Sequence, residues 1–220
     1  MHYLILNFKT YPEATGENAL HLAEIANAGR SGSKVNVIVC PQAVDIYRIR
    51  EKFPLLSIWA QHIDPIVPGR NTGWTSPTSI VMAGANGTLV NHSEHKLTTS
   101  QVEQTLTSCK HFQLSSCLAV KDAAEAEYFR TLRPDFLAYE PEELISGETS
   151  LIEADPQAAK MFVEKFQNHG AKLVLGAGVK SANDISEALK LGFEGILISS
   201  GFVKSEQPAE FLNQMLAAFN

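Results

Sequence analysis

The sequence predicts an α/β fold, a compact (β/α)8 barrel of eight parallel strands, and three observations support it. Short apolar runs alternate with longer amphipathic segments, and eight such strand-helix units follow one another along the chain. The strand segments are continuously apolar, which indicates burial on both faces and parallel pairing under flanking helices. The length of 220 residues lies towards the lower end for this architecture, so few insertions are expected.

The predicted elements alternate strictly from the first to the last. The strands are YLILNF (3–8), VNVIVC (35–40), SIWAQ (57–61), GTLVN (87–91), LSSCLAV (114–120), DFLAY (135–139), KLVLG (172–176) and EGILIS (194–199). The amphipathic segments predicted to be helices cover residues 18–28, 44–53, 78–85, 98–112, 121–132, 155–170, 181–192 and 208–219. A loop rich in proline and glycine, DPIVPGRNTGWTSP, precedes the third helix. No linker interrupts the series, so residues 1–220 are expected to form a single domain.

An open doubly wound sheet is the alternative architecture for the same alternation. Its first strand is usually followed by a Gly-x-Gly-x-x-Gly turn, which this chain lacks, and nothing in the sequence marks a point where the strand order reverses. The barrel is therefore the predicted fold.

Composition and charge limit the classes of function. The formal net charge is −6 and no run of like charges stands out, so neither a nucleic acid nor a membrane is an expected partner. Cys40, Cys109 and Cys117 form no Cys-x-x-Cys pair and are expected to be reduced core residues. No apolar stretch approaches the roughly 20 residues of a membrane span, and the N-terminal segment lacks the basic region of a secretory signal. A cytoplasmic protein is expected.

Candidate functional residues stand where the predicted strands end. Chemistry in such a barrel collects at the C-terminal ends of the strands. The first strand ends in Asn7 and Lys9, the fourth leads into His92, and the sixth leads into Glu140. The seventh and eighth strands run into GAG (176–178) and SSG (199–201) directly before helices, and such loops offer backbone N–H groups to a phosphate. Each residue alone has a structural explanation, but their coincidence favours a catalytic site.

The segment LVNHSEHKL, residues 89–97, allows four interpretations by itself. His92 and His95 could bind a metal, His92 could act in catalysis, the segment could cap a helix, or Asn91 could accept a glycan. The glycan has no consequence without secretion, and the further ligands that zinc would need are not apparent, so no metal is expected. A catalytic or a capping role is left.

Six segments together resemble one known family. NFKTY, AQHIDPIVPGRNTG, TLVNHSE, AYEPEELI, GAGV and ISSG occur in this order at the predicted strand ends, and the chain resembles triosephosphate isomerase of the short archaeal type over essentially its whole length. Asn-x-Lys after the first strand and Asn-His-Ser-Glu after the fourth are highly specific signals. The last two loops are shared with many phosphate-binding barrels.

The resemblance implies interconversion of dihydroxyacetone phosphate and glyceraldehyde 3-phosphate through an enediolate, in glycolysis and gluconeogenesis and without a cofactor. It implies that Glu140 is the base, that His92 is a neutral electrophile at a helix N-terminus, and that Lys9 supplies positive charge. Asn7 is then a hydrogen-bond donor beside Lys9, and Glu94 is the carboxylate that meets it. The groups implied to hold the substrate phosphate are at Ser146, Gly178, Ser199 and Ser200.

The loop after the third strand resembles the loop through which subunits of the family interdigitate. The resemblance therefore implies a homodimer or homotetramer, in which Thr72 enters the pocket of a second copy and supports Lys9 and Glu94 there.

Two departures from the family pattern stand out. The lid reads EPEELISGE at residues 140–148, with Ser146 and Glu148 where glycine is expected, and Ser199 stands where a small apolar residue is common. Two other classes of function share part of the pattern, namely phosphosugar lyases or epimerases and a non-catalytic binder descended from the isomerase. Neither requires the lysine, the histidine and the carboxylate together, so an isomerase is the predicted function.

Overall fold

The computed structural model describes residues 1–31, 33–141, 144 and 150–219, and eight parallel strands in it close into a barrel. The strands pair in chain order, and the first closes the ring by pairing with the eighth. The predicted (β/α)8 barrel is confirmed. The strands are β1 (His2–Asn7), β2 (Val35–Cys40), β3 (Ser57–Ala60), β4 (Gly87–Val90), β5 (Ser115–Val120), β6 (Phe136–Tyr139), β7 (Lys172–Leu175) and β8 (Gly195–Ile198).

The described residues include ten α-helices, which surround the barrel. They are α1 (Glu17–Gly29), α2 (Ala43–Lys52), α3 (Pro77–Met82), α4 (Thr99–Phe112), α5 (Ala123–Phe129), α6 (Leu151–Ala154), α7 (Pro156–Phe166), α8 (Ala182–Leu191), α9 (Ser200–Val203) and α10 (Pro208–Ala217). The sequence did not predict α6 and α9, because a helix of four residues is too short to show an amphipathic period.

Both faces of the strands are buried, as their continuous apolar sequences predicted. In β1, Tyr3 and Ile5 join the cluster of side chains inside the barrel, while Leu4 and Leu6 join the cluster between the barrel and the helices. Successive side chains of a strand point to opposite faces. Since both faces meet an apolar environment, the strand shows no alternation of polar and apolar residues.

The barrel interior is filled by aromatic side chains at one end and by small side chains further along the strands. Tyr3 and Trp59 both contact the ring of Phe136 edge to face, with centroid separations of 4.8 Å and 5.0 Å. Towards the C-terminal ends, interior positions are taken by residues such as Ala119 and Ala138. The small side chains leave space for a cavity at the C-terminal mouth.

A buried carboxylate fixes the loop that follows β7. Asp184, in the first turn of α8, accepts hydrogen bonds from the hydroxyl groups of Ser150 at 2.7 Å and Ser181 at 2.8 Å. Two backbone N–H groups, of residues 180 and 181, donate to the same side chain. Burial raises the pKa of Asp184, but the hydrogen bonds lower it more, so the pKa lies below its usual value. The rim between β6 and β7 is thereby tied to the start of α8.

The three cysteines pack as core residues. Cys40, Cys109 and Cys117 are buried and free, and burial raises the pKa of each thiol. Among the residues that the structure describes, none of the helices has the length and apolar character needed to cross a membrane.

Candidate active site

Side chains along each strand point alternately into and out of the barrel, and this alternation decides which of them reach the mouth of the barrel. Ala138 belongs to the interior cluster, so Glu140, two residues further on, lies on the same side of its strand. Ser199 follows the interior residue Leu197 in the same way. Because all eight strands are parallel, these side chains meet at one rim with those of the loops after β1 and β4.

A cavity of about 420 Å³ at this mouth brings together most of the predicted site. Its walls include Lys9, His92, Glu140, Gly178, Ser199 and Ser200. Candidate catalytic and candidate phosphate-binding residues therefore face one space. Ser146 and Glu148, which the lid sequence singled out, lie outside the described residues.

Glu140 carries a buried carboxyl group whose oxygens have no hydrogen-bond partner among the described residues. Burial raises its pKa to about 8, although the positive charges of Lys9 and Lys96 oppose the rise. The backbone N–H of Ser93 also lowers the pKa, but it does not reach the geometry of a hydrogen bond. A carboxyl group with a pKa near working pH and no fixed partner is suited to accept and release a proton.

Glycine is required at position 176 because the carboxyl group of Glu140 fills the adjacent space. A Cβ atom on Gly176 would lie 2.5 Å from Cγ and 2.6 Å from Oε1 of Glu140. Both distances are too short for a real contact, so a larger residue would displace the carboxylate. In the sequence, Gly176 stands out only as part of a loop of the phosphate-binding kind.

His92 is a neutral ring with a defined tautomer. Its Nδ1 accepts the backbone N–H of Glu94 at 3.2 Å, so the proton of the neutral imidazole is on Nε2. Burial is the main reason that its pKa falls to about 4; the Glu94 carboxylate opposes the fall and Lys9 assists it. Nε2 lies 3.7 Å from Oε2 of Glu140. The ring is therefore an N–H donor beside the carboxylate.

His92 lies at a helix N-terminus, as the resemblance implied, but the helix is short. It is a single 3-10 turn, Ser93–His95, whereas α4 begins six residues after Ser93 with a capping box of its own at Thr98. The dipole of one such turn is small. Burial, and not a long helix, accounts for most of the lowered pKa of His92.

Lys9 is held in an unusual backbone conformation. Its φ angle of 47° lies in the left-handed region, which residues with a side chain rarely occupy. Its N–H donates to Oδ1 of Asn7 at 3.0 Å, and its carbonyl accepts from Nε2 of Gln61 at 2.8 Å. Its ammonium group forms an ion pair with Glu94 at 2.7 Å, as the resemblance implied for that carboxylate.

A second cavity, of about 430 Å³, shares Lys9 and His92 with the first. Its walls also include Asn7, Gln61 and Glu94. Among the described residues, Asn7 and Glu94 line this second cavity and not the first. Asn7 uses its side-chain oxygen to accept the N–H of Lys9, so the contact that the structure shows is with the protein backbone.

The loops after β7 and β8 offer backbone and hydroxyl groups to an anion. Gly178 has a φ angle of 69°, α9 begins at Ser200, and the buried hydroxyl of Ser199 has no partner among the described residues. Lys180 and Lys204 line the same cavity, and the sequence analysis did not single them out. The signal available was their position, two residues after Gly178 and four after Ser200.

Thr72 is exposed in a loop that is closed at its base by Asp64. The carboxylate of Asp64 accepts the N–H of Thr75 at 2.6 Å, and its backbone N–H donates to the carbonyl of Thr75 at 2.9 Å. These two hydrogen bonds hold the ends of the loop together. Val67 and Trp74 of the same loop are also exposed.

His92 and His95, the two histidines of the segment 89–97, do not converge on a metal site within the described residues. His95 stacks on His62 with a centroid separation of 4.2 Å, and both line the second cavity. Within the part of the chain that the structure describes, no three His, Cys, Asp or Glu side chains are arranged to hold a metal ion.

Comparison with known proteins places this geometry in a family. The family model described as triosephosphate isomerase matches residues 2–216. The chain belongs to the triosephosphate isomerase family. Triosephosphate isomerases of Methanobrevibacter smithii and Methanosarcina acetivorans are 37% and 36% identical to it, each over 97% of this chain and 97% of the relative. The resemblance inferred from the six segments is confirmed.

A more distant family member and a solved structure extend the comparison. The triosephosphate isomerase of Methanocaldococcus jannaschii is 33% identical over 97% of this chain and 98% of its own length. The crystal structure of triosephosphate isomerase from Bartonella henselae covers 99% of this chain and 98% of that chain, with a TM-score of 0.76 at 18% identity. At that identity the match supports the barrel fold alone.

Replacing Gly176 tests how tightly the carboxylate of Glu140 is placed. We expect Gly176→Ala to lower kcat by about 10²-fold, because the added methyl group overlaps the carboxyl group of Glu140 and must push it out of its position. Gly170→Ala is the control for destabilisation alone, because its φ angle of 85° disfavours alanine while a Cβ there meets nothing within 4 Å, so it should lower stability and leave kcat unchanged. Turnover and circular dichroism of both variants are the measurements. Unchanged kcat in a folded Gly176→Ala protein contradicts the prediction.

The burial of Glu140 makes stability depend on pH. Its pKa of about 8 in the fold lies above the ordinary value of 4.5, so between these values the folded protein keeps a proton that the unfolded chain has released. The stabilising contribution is therefore complete below pH 4.5 and is lost as the pH rises to about 8. We expect Glu140→Gln, which cannot ionise, to gain in Tm relative to wild type over this range. Calorimetric melts across the range check it, and a Tm difference independent of pH contradicts it.

Proposed function

We propose that this member of the triosephosphate isomerase family interconverts dihydroxyacetone phosphate and glyceraldehyde 3-phosphate, with Glu140 as the base and His92 as the electrophile. The reaction moves a proton between two neighbouring carbons, so it needs a base beside them and a donor that stabilises the enediolate oxygens. One carbon is oxidised as its neighbour is reduced, and no cofactor is required. The observation that carries the proposal is the buried carboxyl group of Glu140, which has no hydrogen-bond partner among the described residues and lies 3.7 Å from a neutral imidazole.

The neutral state of His92 matters for the base as well as for the oxygens. A protonated imidazole at this distance would form an ion pair with Glu140, hold the carboxylate in place and lower its basicity. With a pKa of about 4, His92 stays neutral at physiological pH. It can then donate its Nε2–H to either oxygen of the enediolate while Glu140 returns the proton to either carbon.

Positive charge at the site is supplied locally. The protein carries a net charge of −6 and the substrate is a phosphate ester, so general attraction does not favour binding. Lys9 faces the substrate cavity and stabilises the phosphate and the developing enediolate. Lys180 and Lys204 add charge along the same cavity.

The phosphate is held by backbone N–H groups at Gly178, Ser199 and Ser200, where two loops meet the starts of helices. The free hydroxyl of Ser199 is a further donor. Ser146 remains the predicted contact from the lid. The place of the reaction in glycolysis and gluconeogenesis favours the cytoplasm as its compartment.

An assay coupled to the consumption of one triose phosphate tests the proposal. We expect wild-type protein to interconvert the two substrates, and Glu140→Gln to lower kcat by on the order of 10²-fold or more, because the amide keeps the shape but cannot act as a base. An inactive wild-type protein contradicts the proposed isomerase function. An active wild-type protein with an equally active Glu140→Gln variant contradicts only the assignment of Glu140 as the base.

Self-association is the second part of the proposal. Ten large apolar side chains are exposed among the described residues, and seven of them lie between residues 44 and 82, on α2, α3 and the loops around β3. They are Val44, Tyr47, Leu55, Val67, Trp74, Val81 and Met82. Such a concentration is typical of an interface. We place a second copy of the chain on this surface, with Thr72 of one copy in the second cavity of the other, against Lys9 and Glu94.

A charge on the exposed apolar surface of the loop after β3 should separate the subunits. We expect Trp74→Glu to reduce the mass in solution to the 24.0 kDa of one chain and to reduce kcat with it, because Lys9 loses its external support. Met161→Glu is the control, since Met161 is 58% exposed against 54% for Trp74 but lies on α7. Light scattering and turnover are measured on the same samples. A wild-type monomer with full activity would overturn the proposal.

A further inference from the structure

The backbone of Lys9 is held on both sides by side chains. Its φ angle of 47° is one that a residue with a Cβ adopts only when its surroundings impose it. The N–H is held by Asn7, a near neighbour in the chain. The carbonyl is held by Gln61, which follows β3 and is 52 residues away in sequence. Two peptide groups that could otherwise rotate are thus fixed by two amide side chains.

Gln61 donates both hydrogens of its side-chain amide to backbone carbonyl groups near the ends of neighbouring strands. Its Nε2 donates to the carbonyl of Lys9 at 2.8 Å and to the carbonyl of Cys40 at 2.9 Å. Carbonyl oxygens accept only, so the amide nitrogen must face them, and the orientation of the side chain is fixed by its contacts. The carbonyl of Cys40, the last residue of β2, provides a rigid reference point for the loop that carries Lys9.

Gln61 does not touch the space that holds the substrate. Among the described residues it lines the second cavity, while Lys9 reaches both. Any effect of Gln61 on the reaction must therefore pass through another residue. The ammonium group of Lys9 is tethered at its far end by Glu94, so the backbone clamp and the ion pair together fix the side chain at its two ends.

We propose that Gln61 is a positioning residue of the isomerase reaction, which holds Lys9 in its left-handed backbone conformation so that the ammonium group stays in the substrate cavity. Without the clamp, Lys9 relaxes to an ordinary negative φ angle. The direction of the Cα–Cβ bond of Lys9 changes with this angle, and the ammonium group moves out of the substrate cavity. The activity readout of this inference rests on the proposed function.

A double-mutant cycle separates positioning from a general structural role. Gln61→Met keeps the size of the side chain and removes both donor hydrogens. We expect it to lower kcat/KM by about 10- to 10²-fold, and to weaken binding of 2-phosphoglycolate, a mimic of the enediolate. In a Lys9→Met background the same replacement should change kcat/KM and inhibitor affinity by less than about 2-fold, because the group it positions is gone.

The control is Gln42→Met, which removes a comparable hydrogen bond, from Nε2 of Gln42 to the hydroxyl of Thr15, away from Lys9. It should leave turnover and inhibitor affinity unchanged. If Gln61→Met does not fold, Gln61→Glu takes its place, because a carboxylate of the same shape cannot donate to the two carbonyls. An equal loss in both backgrounds, or no loss in either, overturns the inference.

The φ angle of Lys9 in a crystal structure of the Gln61→Met protein provides a test that needs no activity. A relaxed, negative angle supports the clamp, and an angle still near 47° contradicts it. If wild-type protein is inactive, the proposed function fails while this structural result still decides the role of Gln61.

Discussion

Closure of eight parallel strands into one barrel is the constraint on which the rest of the structure depends. It directs alternate residues of every strand towards a common axis and brings all eight C-terminal ends to a single rim. Residues far apart in sequence, such as Lys9, Glu140 and Ser199, therefore share one mouth. The aromatic layer around Phe136 and the small residues above it then decide where the interior is full and where it is open.

Several residues of the site have a protonation state, a burial or a backbone conformation that is energetically unfavourable by itself. Glu140 is buried with no hydrogen-bond partner in the described part of the chain, Lys9 has a left-handed backbone, and burial keeps His92 from protonation. Each persists because the surrounding structure determines it more strongly than local preference does. The buried Asp184 shows the opposite arrangement further along the chain, where a carboxylate accepts four hydrogen bonds and only holds a loop in shape. The contrast separates the reactive carboxylate from the structural one.

The sequence was informative where periodicity and strand direction decide the outcome. Eight apolar runs predicted the eight strands, and the position of Glu140 two residues beyond an interior alanine follows from the period of a strand. It was uninformative where side chains from distant segments meet. The fit of the carboxylate over Gly176 and the reach of Gln61 to the carbonyl of Lys9 depend on rotamers and on distances between loops, which no local pattern encodes. Lys204 was missed for the same reason, because its distance from the strand end depends on the one-turn helix α9.

Lys9 lies between two cavities, and this position links assembly to chemistry in the proposed enzyme. One cavity is the proposed substrate site, and the other, lined by Asn7, Gln61 and Glu94, is where the loop of a second copy is proposed to bind. A side chain entering the second cavity would contact Glu94, the group that tethers the ammonium of Lys9. The clamp by Gln61 fixes the backbone end of that side chain from within one subunit, while the partner would restrict its charged end from outside. Removal of either support loosens the hold on one end of the lysine, so its charge would reach the enediolate in a smaller fraction of molecules.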